Sequence, residues 1–406
     1  MDVAYGCQES PSRIHTAKIC IWAAWAFMSV FPGIMSPLSI SQRTDIVTSL
    51  MASINLLQQP HIDLLQATSM LVIINLLAGN VQAGVLSNTL AARFVLLLGG
   101  NTRDCFRDSC QFVTTSDERH RPAYHLRNLF CMCYQQDKEL CVRSGQPPAM
   151  SEYNCDLDLP IGYEQDYNIS LGVGHCTSPV FPGDLRLSQI KSNVYCDLFS
   201  RRALEKDGVL ILSDIRQLDR DLEEWRMSIP ADYRPTLLFA HDTSHPPGTF
   251  SIRALMMRLE YYYCLAYIHQ ACGRFRSLAG NQDCETQGIS SSLALSLVTC
   301  RSSLYCLLAV RDALSSRDFW LILFYPLSAI LTIFCHIISD PHAPDAVRDL
   351  DLISKIAVHV RELGGREAKL GEGASNSDRV WKVITALEAL GRRTIAKHND
   401  DTRNPK

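Results

Sequence analysis

Helical periodicity constrains this chain more than any other feature, because apolar side chains recur at steps of three and four along much of its 406 residues. No repeated run alternates apolar and polar residues as a half-buried strand would. The clearest helix covers residues 212–229 and is ended by Pro230, while others are predicted over 345–363 and 378–390. Gly364 is expected to stop the second of these helices. The sequence therefore predicts an all-α protein, a large multi-helix bundle.

Breaks between the helices follow the proline, glycine and aspartate content. Residues 147–182 are predicted to form a long covering loop, and shorter loops are expected at 241–248 and 371–377. Pro341 and Pro344 separate the apolar run before them from the helix after them, which predicts a helical hairpin.

Composition narrows the functional classes. Hydrophobic residues make up 47% of the chain and charged residues 20%, so most of the chain should fold. The formal net charge of −3 provides no general attraction for a polyanion such as DNA. Sixteen cysteines are scattered through apolar helical stretches, and we expect them to be reduced thiols of the cytosol or nucleus rather than disulfides.

Two uncharged or nearly uncharged stretches raise a membrane alternative. Residues 319–338 carry no formal charge and are long enough to span a bilayer, but they include Pro326 and His336. Residues 62–78 are shorter and contain Asp63. We predict that both are buried core helices and that the protein is not membrane-bound, with a membrane-associated protein as an alternative.

Catalytic and metal motifs are missing from the sequence. There is no nucleophile elbow, phosphate loop, HExxH helix or GxGxxG turn. His120, His125, Cys131 and Cys133 carry groups that zinc prefers, but two cysteines separated by one residue on a helix point apart. We therefore predict no catalytic, cofactor-binding or metal-binding residues.

A cysteine and histidine pair supports an alternative of another class. His269 and Cys272 lie on one predicted apolar helix, and such a pair can form a nucleophile and its base. A helical enzyme would need a strongly shifted pKa in one of these groups, whereas a regulator would carry inert thiols.

One segment resembles the signature of a known family, the fungal-specific transcription factor domain, also called the middle homology region. In that family a helix leads through a phrase like "LSLRTGRPP" into a loop reading "CDLPLP". The residues here that match the signature, with a tryptophan from a downstream helix, are Arg143, Gly145, Pro147, Pro148, Cys155, Asp156 and Trp225. The match runs in order over about residues 50–365.

Independent of the family, this motif has a physical interpretation. Gly145 permits the backbone conformation that stops a helix, and Pro147 and Pro148 fix an extended exit. Asp156 and Asp158 are then expected to cap a turn or to pair with Arg143. A purely structural corner is the alternative to a ligand-binding role.

The chain also departs from the family. Phe130 and Cys131 stand where the family has Phe-Trp, and Gln146 replaces the arginine of the GRPP phrase. Members carry six N-terminal cysteines holding two zinc ions, whereas residues 1–100 contain only Cys7 and Cys20 and the chain has no CxxC. Zinc is therefore expected only if a six-cysteine segment is encoded upstream.

The resemblance implies a nuclear regulator of fungal gene transcription, associated with a secondary-metabolite gene cluster, acting without its own DNA-binding module. Its implied partners are transcription factors or coregulators, a small-molecule effector and a second copy of the chain, with DNA contacted only indirectly. The predicted organisation is an N-terminal helical extension (1–50), the regulatory domain (51–365), and an amphipathic helix with a polar tail (366–406).

Overall fold

A computed structural model describes residues 11–29, 38, 40–54, 60–78, 80–102, 121–159, 162–172, 183–239, 251–275, 283–314, 322–369 and 375–403. Every regular element within these ranges is helical, which confirms the predicted fold class. The α-helices are α1 (Pro11–Met28), α2 (Ile40–Ser53), α3 (Ile62–Leu77), α4 (Val81–Leu97), α5 (Arg121–Ser144), α6 (Tyr163–Leu171), α7 (Leu185–Val194), α8 (Gly208–Ser228), α9 (Ile252–Gln270), α10 (Asp283–Ala309), α11 (Phe324–Ser339), α12 (Ala346–Lys369) and α13 (Ser375–Arg403).

The chain divides into two compact units. The first comprises Met1–Tyr167 with Cys176–Ser192, and the second comprises Asn168–His175 with Asn193–Lys406.

In the first unit, α3 packs against α1, α4 and α5, and α4 also packs against α5. The interior of α3 includes Leu65, Leu71 and Val72, which are fully buried. Asn80 begins α4 as its N-cap, accepting a hydrogen bond from the Ala83 amide at 3.3 Å. Helix α5 is buried on almost every side from residue 127 to residue 142, so it is the central helix of this unit.

In the second unit, α9 packs against α8 and α10, α10 packs against α11, and α12 pairs with α13. The predicted apolar face of 212–229 is confirmed in α8, because Ile215, Leu218, Leu222 and Trp225 are all buried. The Asp207 carboxylate caps α8 by accepting the Leu210 amide at 2.8 Å.

Three predicted boundaries are wrong. The stretch 147–182 is not a continuous loop, because it contains the 3-10 turn Glu152–Asn154 and helix α6. Gly364 does not stop α12, which continues to Lys369, because a glycine inside a helix costs only roughly 1 kcal/mol and does not by itself end it. Helix α13 begins at Ser375, inside the predicted loop 371–377. Residues 371–374 and the predicted loop at 241–248 lie outside the described ranges.

The predicted hairpin at Pro341 and Pro344 is confirmed, since α11 and α12 flank a short turn there and contact each other. Pro326 falls in the first turn of α11, where no intrahelical amide bond is lost. Helix α11 has 16 residues, six of them buried, and its predicted start at residue 319 lies outside the described ranges.

By length and composition, one helical segment of the described chain would be long and apolar enough to cross a membrane. It covers Gly288–Ala309, and 44% of its most apolar window is buried. The core helix of a soluble protein can be equally long and apolar. The two stretches that raised the membrane alternative from the sequence form shorter helices, α3 and α11.

Candidate functional site

The signature motif begins where α5 ends. Ser144 is the last residue of that helix, and Gly145 follows with φ of +68°, a left-handed conformation that costs an L side chain about 1–2 kcal/mol. The Gly145 amide donates to the Cys141 carbonyl at 2.9 Å, which completes the helix end. Pro147 and Pro148 then continue without helical structure. The predicted stop at Gly145 is confirmed. We call residues 145–159 the corner loop.

A buried carboxylate on α5 holds the start of the corner loop. Oδ1 of Asp137 accepts from Asn88 Nδ2 at 3.0 Å and from the Ala149 amide at 2.8 Å. Oδ2 accepts from the Met150 amide at 3.0 Å and from Lys138 Nζ at 3.2 Å. The Lys138 ammonium has no exposed surface and also donates to the Met150 carbonyl at 2.5 Å. This pair joins α4, α5 and the loop through charge-assisted hydrogen bonds.

The later part of the corner loop is held through its backbone atoms, which are bound by Arg127 and Asn101. The Arg127 guanidinium, also on α5, donates to the carbonyls of Asp156 and Asp158 and lies 4.4 Å from the Phe130 ring centroid. Asn101, after α4, donates from Nδ2 to the Asn154 carbonyl at 2.6 Å, and its own carbonyl accepts the Asp156 amide at 2.8 Å. The path of the loop is therefore fixed through main-chain atoms.

Between these attachments the loop presents an exposed aromatic side chain. Tyr134 donates its hydroxyl hydrogen to Glu152 Oε1 at 2.6 Å and so positions the turn Glu152–Asn154. Burial, and then the Glu152 carboxylate, raise the pKa of Tyr134 well above its usual range. Tyr153, the next residue of the turn, is 99% exposed. Asp156 and Asp158 are exposed beside it on the same loop. This is an aromatic and acidic surface on a fixed backbone.

Arg143 takes part in a different contact from the expected one. Its Nε lies 2.5 Å from Glu139 Oε1, one turn earlier on α5, while Glu139 Oε2 lies 2.5 Å from Lys191 Nζ on α7. The arginine that binds the backbone carbonyls of Asp156 and Asp158 is Arg127.

The remaining signature residues are Cys155 and Trp225. Cys155 is half-buried, and burial raises the pKa of its thiol. Trp225 lies in the second unit, where it is 4% exposed and stacks on Tyr261 with ring centroids 6.3 Å apart. Six of the seven residues thus belong to one corner of the first unit, and the seventh is a core residue of the second.

Sequence reasoning missed the residues that hold the corner together. Arg127, Asp137 and Lys138 were not assigned a role, and Asn101 was not noticed at all. The sequence did contain one indication of these roles. Apolar residues of α5 are not confined to one face, a pattern typical of a helix that is buried on several sides, so its charged residues are expected to be buried as well. Buried charges require partners, and here backbone amides and carbonyls serve as most of them.

The rejected zinc set is only partly described, because His120 lies outside the described ranges. His125 is exposed and its Nε2 lies 2.6 Å from Gln66 Nε2. Burial raises the pKa of Cys131 to about 11 and that of Cys133 to about 12. Cys133 Sγ lies 3.2 Å from the Ser69 hydroxyl, a polar contact within the core. Within the described residues, no group of three or more histidine, cysteine or acidic side chains is placed to hold a metal ion.

The histidine of the enzyme alternative is hydrogen-bonded at Nδ1, while its buried Nε2 has no hydrogen-bond partner among the described residues. His269 on α9 has Nδ1 3.3 Å from Ser292 Oγ on α10 and Nε2 3.6 Å from Asp219 Oδ1 on α8. The order is the reverse of a hydrolytic triad, in which the nucleophile faces Nε2 and the acid faces Nδ1. Burial raises the pKa of Cys272, so that thiol is not activated.

Comparison with known proteins gives a partial match to transcription factors. The chain is 31% identical over 243 residues to an ABC-transporter-regulating transcription factor of Aspergillus oryzae, covering 57% of this chain and 26% of that protein. The protein of the same name from Aspergillus fumigatus is 30% identical over the same shares. The Fusaridione A cluster transcription factor fsdR of Fusarium heterosporum is 22% identical over 233 residues, covering 57% of this chain and 42% of that protein.

No protein-family model and no solved structure gives a significant match to the chain. The chain spans about a quarter of the length of the Aspergillus relatives and less than half of the Fusarium one. Over more than half of its own length, the chain is a relative of fungal transcription factors, among them a regulator of a named gene cluster.

Proposed function

We propose that this chain is the helical regulatory body of a fungal transcription regulator, which acts in the nucleus through contacts with transcription factors or coregulators. The observation that carries the proposal is the similarity to transcription factors over 57% of the chain. The net charge of −3 fits a protein that reaches DNA through a partner or another segment rather than through its own surface. Zinc belongs to such a segment and not to the described residues.

The corner loop is the surface that we assign to protein contacts. Its backbone is held by Arg127, Asn101 and Asp137, so the main chain that carries Tyr153 is in place before a partner binds. Aromatic side chains are enriched among the residues that dominate binding energy, and a backbone that is already ordered lowers the cost of binding. The adjoining Asp156 and Asp158 favour a partner with a basic surface.

One part of the wider proposal is supported by the relatives. Control of a secondary-metabolite gene cluster agrees with the name of the Fusarium relative. We also propose the division into residues 1–50, 51–365 and 366–406, a small-molecule effector, self-association and a non-enzymatic role. Sequencing the full-length transcript from its 5′ end tests whether a six-cysteine segment is encoded before Met1.

Gene deletion with complementation tests the regulatory function. Deletion should change the transcript levels of a coordinated set of genes, the wild-type chain should restore them, and the tagged chain should be found in the nucleus. Tyr153→Ala should fail to restore the transcripts although the protein accumulates normally. Leu238→Ala removes a 71% exposed side chain from the other unit and should restore them fully. Unchanged transcripts after deletion, in cells that make the protein, would refute the proposal.

A further inference from the structure

A large cleft lies within the second unit, and none of its lining residues belongs to the corner loop. Helix α10 lines one side and α11 the other, and Gln270 with the turn at residues 340–345 completes the wall. Its volume is about 1010 Å³, at the upper end of the range for pockets that bind drug-sized molecules. Such a space between the helices of a bundle is a common place for small-molecule sites.

Part of the wall of this cleft is apolar. Leu293 and Leu297 come from α10, one turn apart, and Leu331 faces the cleft from α11. Leu331 is 49% exposed, so an apolar group placed against it would remove that surface from water. This surface provides affinity for an apolar molecular body but does not orient it.

Orientation comes from uncharged polar groups that also line the cleft. Ser290 on α10 and Ser328 and Thr332 on α11 bring hydroxyl groups, each able to donate and to accept. Gln270 Nε2 donates to Thr332 Oγ1 at 2.9 Å, and Thr332 donates to the Ser328 carbonyl at 3.0 Å, so these side chains are already positioned. The Ser290 and Ser328 hydroxyl groups can donate to carbonyl, ether and hydroxyl groups on a ligand, whereas the hydrogen of the Thr332 hydroxyl is already donated to Ser328.

The charges of the cleft select against an anion. Arg301 is the one arginine or lysine among the described lining residues, and Asp349 binds it from both oxygens at 2.7 Å. Its Nη1 also lies 3.3 Å from Asp345, which lines the cleft together with the exposed Asp340. The guanidinium is therefore neutralised and the acidic groups outnumber it. An anionic ligand would lose its hydration without gaining a counter-ion.

We propose that this cleft binds a neutral small molecule that combines an apolar part with hydrogen-bonding oxygen or nitrogen groups. Its role as the effector of a regulator rests on the proposed function, whereas the binding itself does not. Purified full-length chain therefore tests the site independently of any transcript measurement.

A matched pair of fluorescent probes tests the predicted chemistry. N-phenyl-1-naphthylamine is neutral, and 8-anilinonaphthalene-1-sulfonate has the same aromatic body with a sulfonate. The neutral probe should bind at one saturable site, and the sulfonated probe should bind there at least about tenfold more weakly. Absence of saturable binding of the neutral probe would overturn the proposal, and equal affinity of the two probes would overturn its chemical class.

A matched pair of variants locates the binding. Leu331→Trp fills the cleft from α11, whereas Ile338→Trp adds the same side chain to the same helix outside it, at a residue that is 41% exposed. Both side chains are partly exposed, so both variants should fold. Leu331→Trp should weaken binding of the neutral probe at least about tenfold, and Ile338→Trp should leave it unchanged. Equal effects of the two variants would overturn the assignment.

Two exposed thiols provide a readout without mutation. Cys335 lines the cleft on α11, and Cys196 lies outside it in the same unit. Saturating N-phenyl-1-naphthylamine should slow the alkylation of Cys335 by N-ethylmaleimide, measured by mass spectrometry at each cysteine, while Cys196 reacts at an unchanged rate. Loss of protection in Leu331→Trp would support the site, and an unprotected Cys335 in saturated wild-type protein would place the probe elsewhere.

Discussion

Replacing Asp137 with asparagine keeps the shape of the side chain and removes its charge. The wild-type carboxylate is 3% exposed and accepts hydrogen bonds from Asn88, Ala149, Met150 and Lys138. In Asp137→Asn, only one of the two acceptor oxygens remains. The other is replaced by an NH2 group, which cannot accept the hydrogen bonds that the lost oxygen accepted. The Lys138 ammonium, which has no exposed surface, loses its counter-charge.

The expected loss in free energy of unfolding is about 3–5 kcal/mol, the usual cost of leaving one member of a buried ion pair without its partner. Lys138→Met should cost less, because the amides of Ala149 and Met150 still stabilise the carboxylate. In the double variant no unpaired ammonium remains. The double variant should therefore be more stable than the sum of the single losses predicts, by at least about 2 kcal/mol.

Urea unfolding followed by far-UV circular dichroism measures these losses, and hydrogen exchange locates them. The amides of Ala149 and Met150 should exchange about a hundredfold faster or more in Asp137→Asn, since 1.4 kcal/mol corresponds to a factor of ten. Amides of the second unit serve as the internal control. A loss below about 1 kcal/mol, or additive losses in the double variant, would contradict the assigned role of the pair.

Three further predictions concern backbone conformation, packing and thiol reactivity. Gly145→Ala should lower the free energy of unfolding by about 1–2 kcal/mol through strain alone, because φ is +68° and no atom lies within 4 Å of the added Cβ; unchanged denaturation midpoints would contradict this. Gly288→Ala, with open space inside a helix, should raise the free energy of unfolding by about 0.5–1 kcal/mol. Gly391→Ala should not raise the free energy of unfolding in this way, because the added Cβ would lie 2.7 Å from Cδ2 of the buried Leu350. Equal thermal midpoints of the Gly288→Ala and Gly391→Ala variants would refute the packing argument. Alkylation at pH 8 should modify exposed thiols and spare buried thiols whose pKa values burial raises to about 12. Only the thiolate reacts, and the thiolate fraction of such a buried thiol at pH 8 is negligible. Mass spectrometry at each cysteine measures the labelling, and early labelling of a buried thiol would contradict the prediction. Among the described cysteines, Cys196 and Cys335 are exposed, and the buried thiols whose pKa is raised to about 12 include Cys133, Cys300 and Cys306.

Amphipathic helices at the periphery were predictable from the sequence, whereas the central helix was not. The spacing of apolar residues located α8 because one of its faces is exposed to solvent and the other is buried. Helix α5 is surrounded by other elements, so its polar residues are buried as well, and no periodic pattern distinguishes them from a solvated run. The roles of Asp137 and Arg127 depend on loop amides and carbonyls that the residue types do not specify.

A glycine in the sequence did not by itself determine where a helix ends. Gly145 ends α5, and the chain leaves the helix there with a positive φ. Gly364 and Gly365 have the same residue type but lie inside α12, where the backbone stays helical to Lys369. The family signature was recognised from its phrase, yet the geometry that gives it a structural role includes Asn101, about forty residues before Gly145 in the sequence.

The attachment of the corner loop through carbonyl and amide groups has a consequence for engineering. Arg127 and Asn101 bind main-chain atoms that every amino acid except proline provides in full. The loop can therefore serve as a grafting site, at which the side chains of Tyr153, Asp156 and Asp158 are exchanged in a library while the backbone keeps its course. Binding specificity at this position can change without a new fold.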